Sequence, residues 1–166
     1  GYYLNQLLPY ELCGDLQREL TRAELAKLCY HYIFKVRGWE TATLKNPFRD
    51  LEDEPFIIQI LRCNDVGIMN GVSSNEFLPQ GTVTREQAAT VLSRLIGYLT
   101  GETPQASGDP AYVDADELSV WARDSVAAIS ETGIFRGADG QFRPKDSITR
   151  QEMILTLDRV FQNYPV

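Results

Sequence analysis

Three stretches of the chain carry apolar residues at helical spacing and in the same phase. Leu28, Cys29, Tyr32, Ile33 and Val36 form the first stripe, and Val91, Leu92, Leu95, Ile96 and Leu99 the second. The third is Thr156, Leu157, Val160, Phe161 and Tyr164, with one polar lapse at Thr156. Steps of three and four residues put each set on one face of a helix. The pattern predicts three equivalent helices whose stripes bury against one another.

Each stripe follows the same opening. Leu20-Thr21-Arg22-Ala23-Glu24-Leu25, Val83-Thr84-Arg85-Glu86-Gln87-Ala88 and Ile148-Thr149-Arg150-Gln151-Glu152-Met153 align without gaps. Thr21, Thr84 and Thr149 suit the N-cap, where a hydroxyl accepts a hydrogen bond from an orphan backbone N–H. Three residues on, Glu24, Gln87 and Glu152 can reach back to the cap's own N–H and complete a capping box. Leu20, Val83 and Ile148 can staple onto Leu25, Ala88 and Met153 one turn in. One such opening is a common coincidence; three in register make an internal repeat.

The segments before these helices repeat as well. Gly67-Ile68-Met69-Asn70-Gly71 answers Gly133-Ile134-Phe135-Arg136-Gly137, and Phe77 and Pro79 answer Phe142 and Pro144. The first glycine of each pair reads as a helix C-cap and the second as a turn needing positive φ. Shorter amphipathic helices are expected at about 55–66 and 118–132. Ahead of them, Phe48-Arg49-Asp50 and Tyr112-Val113-Asp114 place an aromatic two residues before an aspartate that suits capping of the short-helix region. The connectors fall at 37–47 and 100–110, the latter rich in Gly, Thr, Ser and Pro and read as an exposed loop.

Composition narrows the function. A length of 166 residues with 43% hydrophobic and 23% charged residues is that of an ordinary globular chain. No apolar run approaches the roughly 20 residues a spanning helix needs. No basic start followed by an apolar block marks a signal peptide. The formal charge of −7 argues against nucleic acid, which needs a concentrated basic face. It also restricts any anion site to a local one. Cys13, Cys29 and Cys63 form no metal-binding or disulfide framework and read as small buried hydrophobes.

The repeat resembles the S-layer homology family: aromatic-x-Asp, a short helix often carrying Trp-Ala, a glycine-bracketed turn, a Phe-x-Pro loop, then Thr-Arg-Ala-Glu opening a longer helix. The third copy matches best, through Val120-Trp121-Ala122, Gly133, Gly137, Phe142, Pro144 and Thr149 to Glu152. The second departs at Pro55-Phe56, where Trp-Ala is expected, and at Gln87, where Glu is usual. The first keeps Thr21-Arg22-Ala23-Glu24, but Gly14 and Leu16 stand in place of Phe and Pro, and Leu7-Leu8-Pro9 replaces the glycine turn. The resemblance divides the chain into repeat 1 at 1–37, with its leading helix truncated, repeat 2 at 48–99 and repeat 3 at 112–164, forming one compact unit. It implies an all-α, pseudo-three-fold fold with a central three-helix bundle and short outer helices.

The resemblance also implies a function. Similar proteins attach non-covalently to secondary cell-wall polysaccharide, whose terminal sugar often carries a pyruvate ketal, and they do so in grooves between lobes. This chain is then expected to be a non-catalytic extracellular anchor, with no cofactor or metal, tethering a larger secreted protein to a bacterial wall. The candidate ligand-binding residues are Arg22, Arg85, Arg150, Gly71, Gly137, Asp114 and Trp121. A guanidinium grips a carboxylate with two parallel hydrogen bonds, and the first helical turn already favours an anion. Arg in that turn is itself unfavourable to the helix dipole, so its recurrence needs a reason. Ligand binding is one, favoured for Arg85 and Arg150 over Arg22; a salt bridge to Asp50, Asp114 or a neighbouring module's acid is the other. Trp121 reads as core before platform, and Gly71 and Gly137 as turn residues first.

Other constellations are weaker. His31 stands where the other copies have Arg94 and Arg159, so it reads as a helix-surface variant and not a catalytic base. No Ser or Cys nucleophile has a visible partner. The acidic run 50–54 reads as a solvated helix start, and Ala138-Asp139-Gly140 lacks the ligands of a calcium loop. The rival to an anchor is a degenerate scaffold used for structure or protein–protein contact, without sugar binding.

Overall fold

The computed structural model describes residues 12–38 and 43–164, with the backbone alone at 35–37. Leu7-Leu8-Pro9 and the side chain of Val36 lie outside the described residues. The fold is all-α: five α-helices and no strand among the described residues. They are α1 (Arg22–Arg37), α2 (Ile57–Asp65), α3 (Arg85–Thr100), α4 (Arg123–Thr132) and α5 (Arg150–Asn163), with short 3-10 turns at Ala115–Glu117 and Val120–Ala122.

The three long helices start at the arginines of the repeat. Thr21, Thr84 and Thr149 are extended N-caps whose side chains accept from the amides of Glu24, Gln87 and Glu152. The capping box closes in α1 and α3; in α5 only the threonine half forms, and the Glu152 carboxylate pairs with Arg85. The stripes are buried as the periodicity requires: Leu28, Cys29, Tyr32 and Ile33; Val91, Leu92, Leu95, Ile96 and Leu99; Leu157 and Val160. Buried Thr156 donates its hydroxyl to the Glu152 carbonyl at 2.7 Å, one turn back, and so satisfies itself inside its own helix. Tyr32 reaches from α1 to the Leu157 carbonyl of α5 at 3.0 Å.

The residues just before the caps form a ring. Leu20 donates its amide to Ile148, Ile148 to Val83, and Val83 to Leu20, at 2.9, 2.9 and 3.1 Å. The helix starts continue the same order. Arg22 and Ala23 amides bond Gly81 and Pro79 of repeat 2; Arg85 and Glu86 bond Asp146 and Pro144 of repeat 3; Arg150 and Gln151 bond Arg18 and Leu16 of repeat 1. Two of the orphan donors that each long-helix start leaves are therefore satisfied by the next repeat, and the third by the helix's own threonine cap. Each short helix packs on the long helix of the preceding repeat, α2 on α1 and α4 on α3.

Three local expectations change. Cys29 and Cys63 are buried, but Cys13 is exposed, on the segment ahead of α1. Asp50 and Asp114 do not cap the short helices. Asp50 accepts from the Phe77 and Leu78 amides, and Asp114 from those of Phe142 and Arg143. Their aromatic neighbours pack on the same loops, Phe48 on Phe77 and Tyr112 on Phe142, with ring centroids 5.4 and 5.3 Å apart. Positive φ belongs to Gly67 and Gly133 but not to Gly71 or Gly137. The latter two are glycine because backbone crosses over them. A Cβ on Gly71 would lie 2.6 Å from the Glu76 carbonyl oxygen, and one on Gly137 2.9 Å from the Phe142 Cα.

Candidate functional site

The three arginines sit at equivalent places and reach across to the next repeat. Arg22 Nε donates to the Phe77 carbonyl at 2.8 Å and Nη2 to the Asn70 carbonyl at 2.7 Å, with its guanidinium 4.6 Å above the Phe77 ring. Arg85 Nε donates to the Phe142 carbonyl at 2.7 Å and Nη2 to that of Arg136 at 3.1 Å, stacked over Phe135 and Phe142. Arg150 bonds the Gly14 carbonyl at 2.8 Å. Guanidinium planarity and its fan of five donors suit this simultaneous grip on carbonyls and a ring.

Their charge environments differ. Arg85 is 3% exposed and ion-paired to Glu152. Arg150 is ion-paired to Glu24 at 2.7 Å, and both side chains are nearly buried. Arg22 is half-buried and lines an open cleft with Met69, Asn70, Gly71, Gln87, Thr90, Val91, Arg94 and Trp121. No carboxylate lines that cleft. Burial lowers the Arg22 pKa from its usual value, and Asp50 raises it in part. The Asp50 oxygens themselves are held by the Phe77 and Leu78 amides.

Of the residues singled out from sequence, the cleft brings together Arg22, Gly71 and Trp121. Trp121 is 57% exposed and stands at the cleft wall, not in the core. Arg85, Gly137 and Asp114 gather instead around the Phe142 loop, and Arg150 meets repeat 1. Sequence reasoning missed Asn70, Gln87 and Arg94 as cleft residues. Gln87 was visible as a departure from Glu; Asn70 and Arg94 carried no signal beyond their place in the repeat. Also missed was Glu86, 2% exposed, whose carboxylate accepts from Ser119 N, Ser119 Oγ and Lys145 Nζ at 2.9, 2.7 and 2.6 Å. It clamps the start of α3 to repeat 3.

The Arg22 cleft holds about 140 Å³, below the roughly 300 Å³ at which enclosed small-molecule pockets begin. It fits the tip of a polymer better than a swallowed ligand. A larger cleft, about 510 Å³, lies against the 103–109 loop, but its charged residues are Asp109 and Asp124. Among the described residues no cluster has the makings of a metal site, and no helix is long and apolar enough to cross a membrane.

Residues 47–89 and 111–154 match the S-layer homology domain, just over half the chain. The chain belongs to that family. Its S-layer homology repeats are also similar to parts of much longer proteins. An endoglucanase of Bacillus sp. (strain KSM-635) is 30% identical over 116 residues, 69% of this chain and 12% of that enzyme. The surface-layer 125 kDa protein of Lysinibacillus sphaericus is 30% identical over 99 residues, 59% of this chain and 8% of that protein. A cellulosome-anchoring protein of Acetivibrio thermocellus is 26% identical over 156 residues, 90% of this chain and 34% of that protein. The S-layer homology region thus spans about a third or less of these relatives. Two of the three are named for a surface layer and for anchoring the cellulosome.

Proposed function

We propose that this chain is a non-catalytic anchor that holds a larger secreted protein on a bacterial cell wall by binding an anionic secondary wall polysaccharide, such as one ending in a pyruvylated sugar. The observation that carries the reading is the Arg22 cleft: two arginines, an exposed tryptophan face and backbone turn, with no carboxylate in the lining. A sugar ring stacks on Trp121 through its apolar face, while its carboxylate takes the charge-assisted hydrogen bonds that Arg22 and Arg94 can donate. Attachment through a terminal sugar needs only such a shallow cleft. The ring of amide bonds and the transfer of each helix start to the next repeat support a pseudo-three-fold assembly around α1, α3 and α5. In that assembly the cleft lies between lobes, with one wall from each repeat.

The ion pairs at Arg85 and Arg150 favour the rival reading for their own two positions, where the same architecture serves as scaffold only. Co-sedimentation with purified wall sacculi separates the two. The anchor binds sacculi that retain the secondary polymer and not sacculi stripped of it, and Arg22→Ala together with Trp121→Ala reduces that binding at least tenfold. Equal sedimentation with both preparations, or retention unaffected by the double substitution, would sink the anchoring reading.

A further inference from the structure

The second long helix differs from the other two on the face beneath the 100–110 connector. Ser93 and Gly97 stand eight and twelve residues after Arg85; the same places after Arg22 hold Tyr30 and Phe34, and after Arg150 they hold Asp158 and Gln162. In α1 the two rings stack on each other, with centroids 6.2 Å apart. In α5 Gln162 donates to the Asp158 carboxylate at 3.0 Å. Only α3 has two small residues here, and a cleft of about 510 Å³ opens over them, inside the roughly 300–1,000 Å³ of small-molecule sites.

The cleft is built and not left over from loose packing. Gly97 lets the connector lie directly on α3, since a Cβ there would come 2.6 Å from Thr103 Oγ1. Further along, the Glu131 carboxylate of α4 accepts from Ser107 N at 2.9 Å and from Ser107 Oγ at 2.8 Å. The loop is thus fixed at two points before any ligand arrives. Ser93 is 3% exposed and lines the cleft, yet its hydroxyl has no hydrogen-bonding partner among the described residues. A buried hydroxyl without a partner is costly, and a ligand hydroxyl in the cleft satisfies it. Asp109 and Asp124 line the same space with no ion pair or hydrogen bond to their carboxylates among the described residues. No Lys, Arg, His or aromatic residue lines it among the described residues.

We propose that this cleft between α3, α4 and the connector binds a glycan carrying free amino groups. Asp109 and Asp124 pair with the ammonium, and Ser93, Thr103 and Ser125 take the ring hydroxyls. Two carboxylates with no internal cation select a positively charged ligand. The hydroxyl lining and the width select a sugar over a plain alkylamine. The site shares no residue with the Arg22 cleft, so it stands or falls apart from the anchoring reading.

Calorimetric titration of the full chain tests it, with a β-1,4-linked glucosamine trisaccharide, its N-acetylated counterpart and 1,5-diaminopentane as probes. The free-amine trisaccharide should bind with one equivalent, and each of the other two about tenfold more weakly or worse. Asp109→Asn with Asp124→Asn should weaken the free-amine sugar by about tenfold or more, and Ser93→Ala by about threefold. Asp116→Asn with Glu117→Gln removes the same charge from exposed residues outside the cleft and should leave binding unchanged. Melting temperatures of the variants should match that of the unmodified chain, because the four acids are exposed. Equal binding of the acetylated sugar or of the diamine overturns the proposal. So does equal weakening by the two acid pairs, which would mean attraction to the net negative charge alone, and so does no binding of the free-amine sugar.

Discussion

Leu78, Arg143 and Asp15 share a left-handed backbone, with φ of 59°, 57° and 49°. Each begins a turn closed by an amide three residues on, at Gly81, Asp146 and Arg18. The first and second copies have no residue in common at these positions, and only the register set by the Thr-Arg opening that follows pairs them. Backbone geometry is kept here while chemistry drifts, because the job of the loop is to offer carbonyls to the next helix start. Asp50 and Asp114 hold the loops of repeats 2 and 3 in place. For both, burial pushes the carboxyl upward, but the backbone amides of the loop outweigh it and the pKa falls below the ordinary value. A lowered folded-state pKa gives stability that is present above the unfolded value of about 3.9 and is lost as pH falls through the lowered one. The Asp50→Asn, Asp114→Asn double variant should therefore melt lower than the parent near neutral pH, and the gap should narrow between about pH 5 and pH 2. Thermal melts followed by circular dichroism across that range check it; parallel curves would show that these carboxylates contribute nothing specific.

At the scale of the helix, the Thr-Arg opening does two things that the linear pattern does not separate. The threonine caps its own helix, whereas the arginine clips that helix to the following repeat. For α3 the clip is buried: three hydrogen-bonding partners and two aromatic rings hold Arg85. Arg85→Ala removes charge-assisted bonds and leaves carbonyls of the Phe142 loop without their donor. We expect it to destabilise the chain by about 2–4 kcal/mol in urea denaturation. Arg22→Ala, at an open cleft where water can replace the lost donors, should reach only about half of that. A reversed order would mean that Arg22, not Arg85, carries the structural load. The helices themselves were legible in the sequence, down to their first residues, since caps and stripes are local and each is repeated. The short helices were placed more loosely, because α4 is preceded by a 3-10 turn at Val120–Ala122 and neither α2 nor α4 has a side-chain cap.

Across the whole molecule, a repeat in sequence is not a unit in space. Repeat 2 gives its short helix to α1 and its loop carbonyls to the start of α1, while its own long helix is started by repeat 3 and packed by α4. A fragment covering 48–99 would keep neither set of partners and falls near the size at which a lone core is marginal. It should show no cooperative thermal transition, whereas the full chain should melt in one; a sharp unfolding transition of the fragment would contradict the exchange of partners described here. Sequence alone determined the number of long helices, where they start, which face they bury and the family they belong to, because capping and amphipathic spacing depend on residues within a turn or two of one another. Which arginine stays open to solvent was decided only by the tertiary structure. That depends on the residue each guanidinium meets across the ring, Glu152 for Arg85, Glu24 for Arg150 and Gln87 beside Arg22. Such pairings join positions far apart in the chain, and no local pattern encodes them.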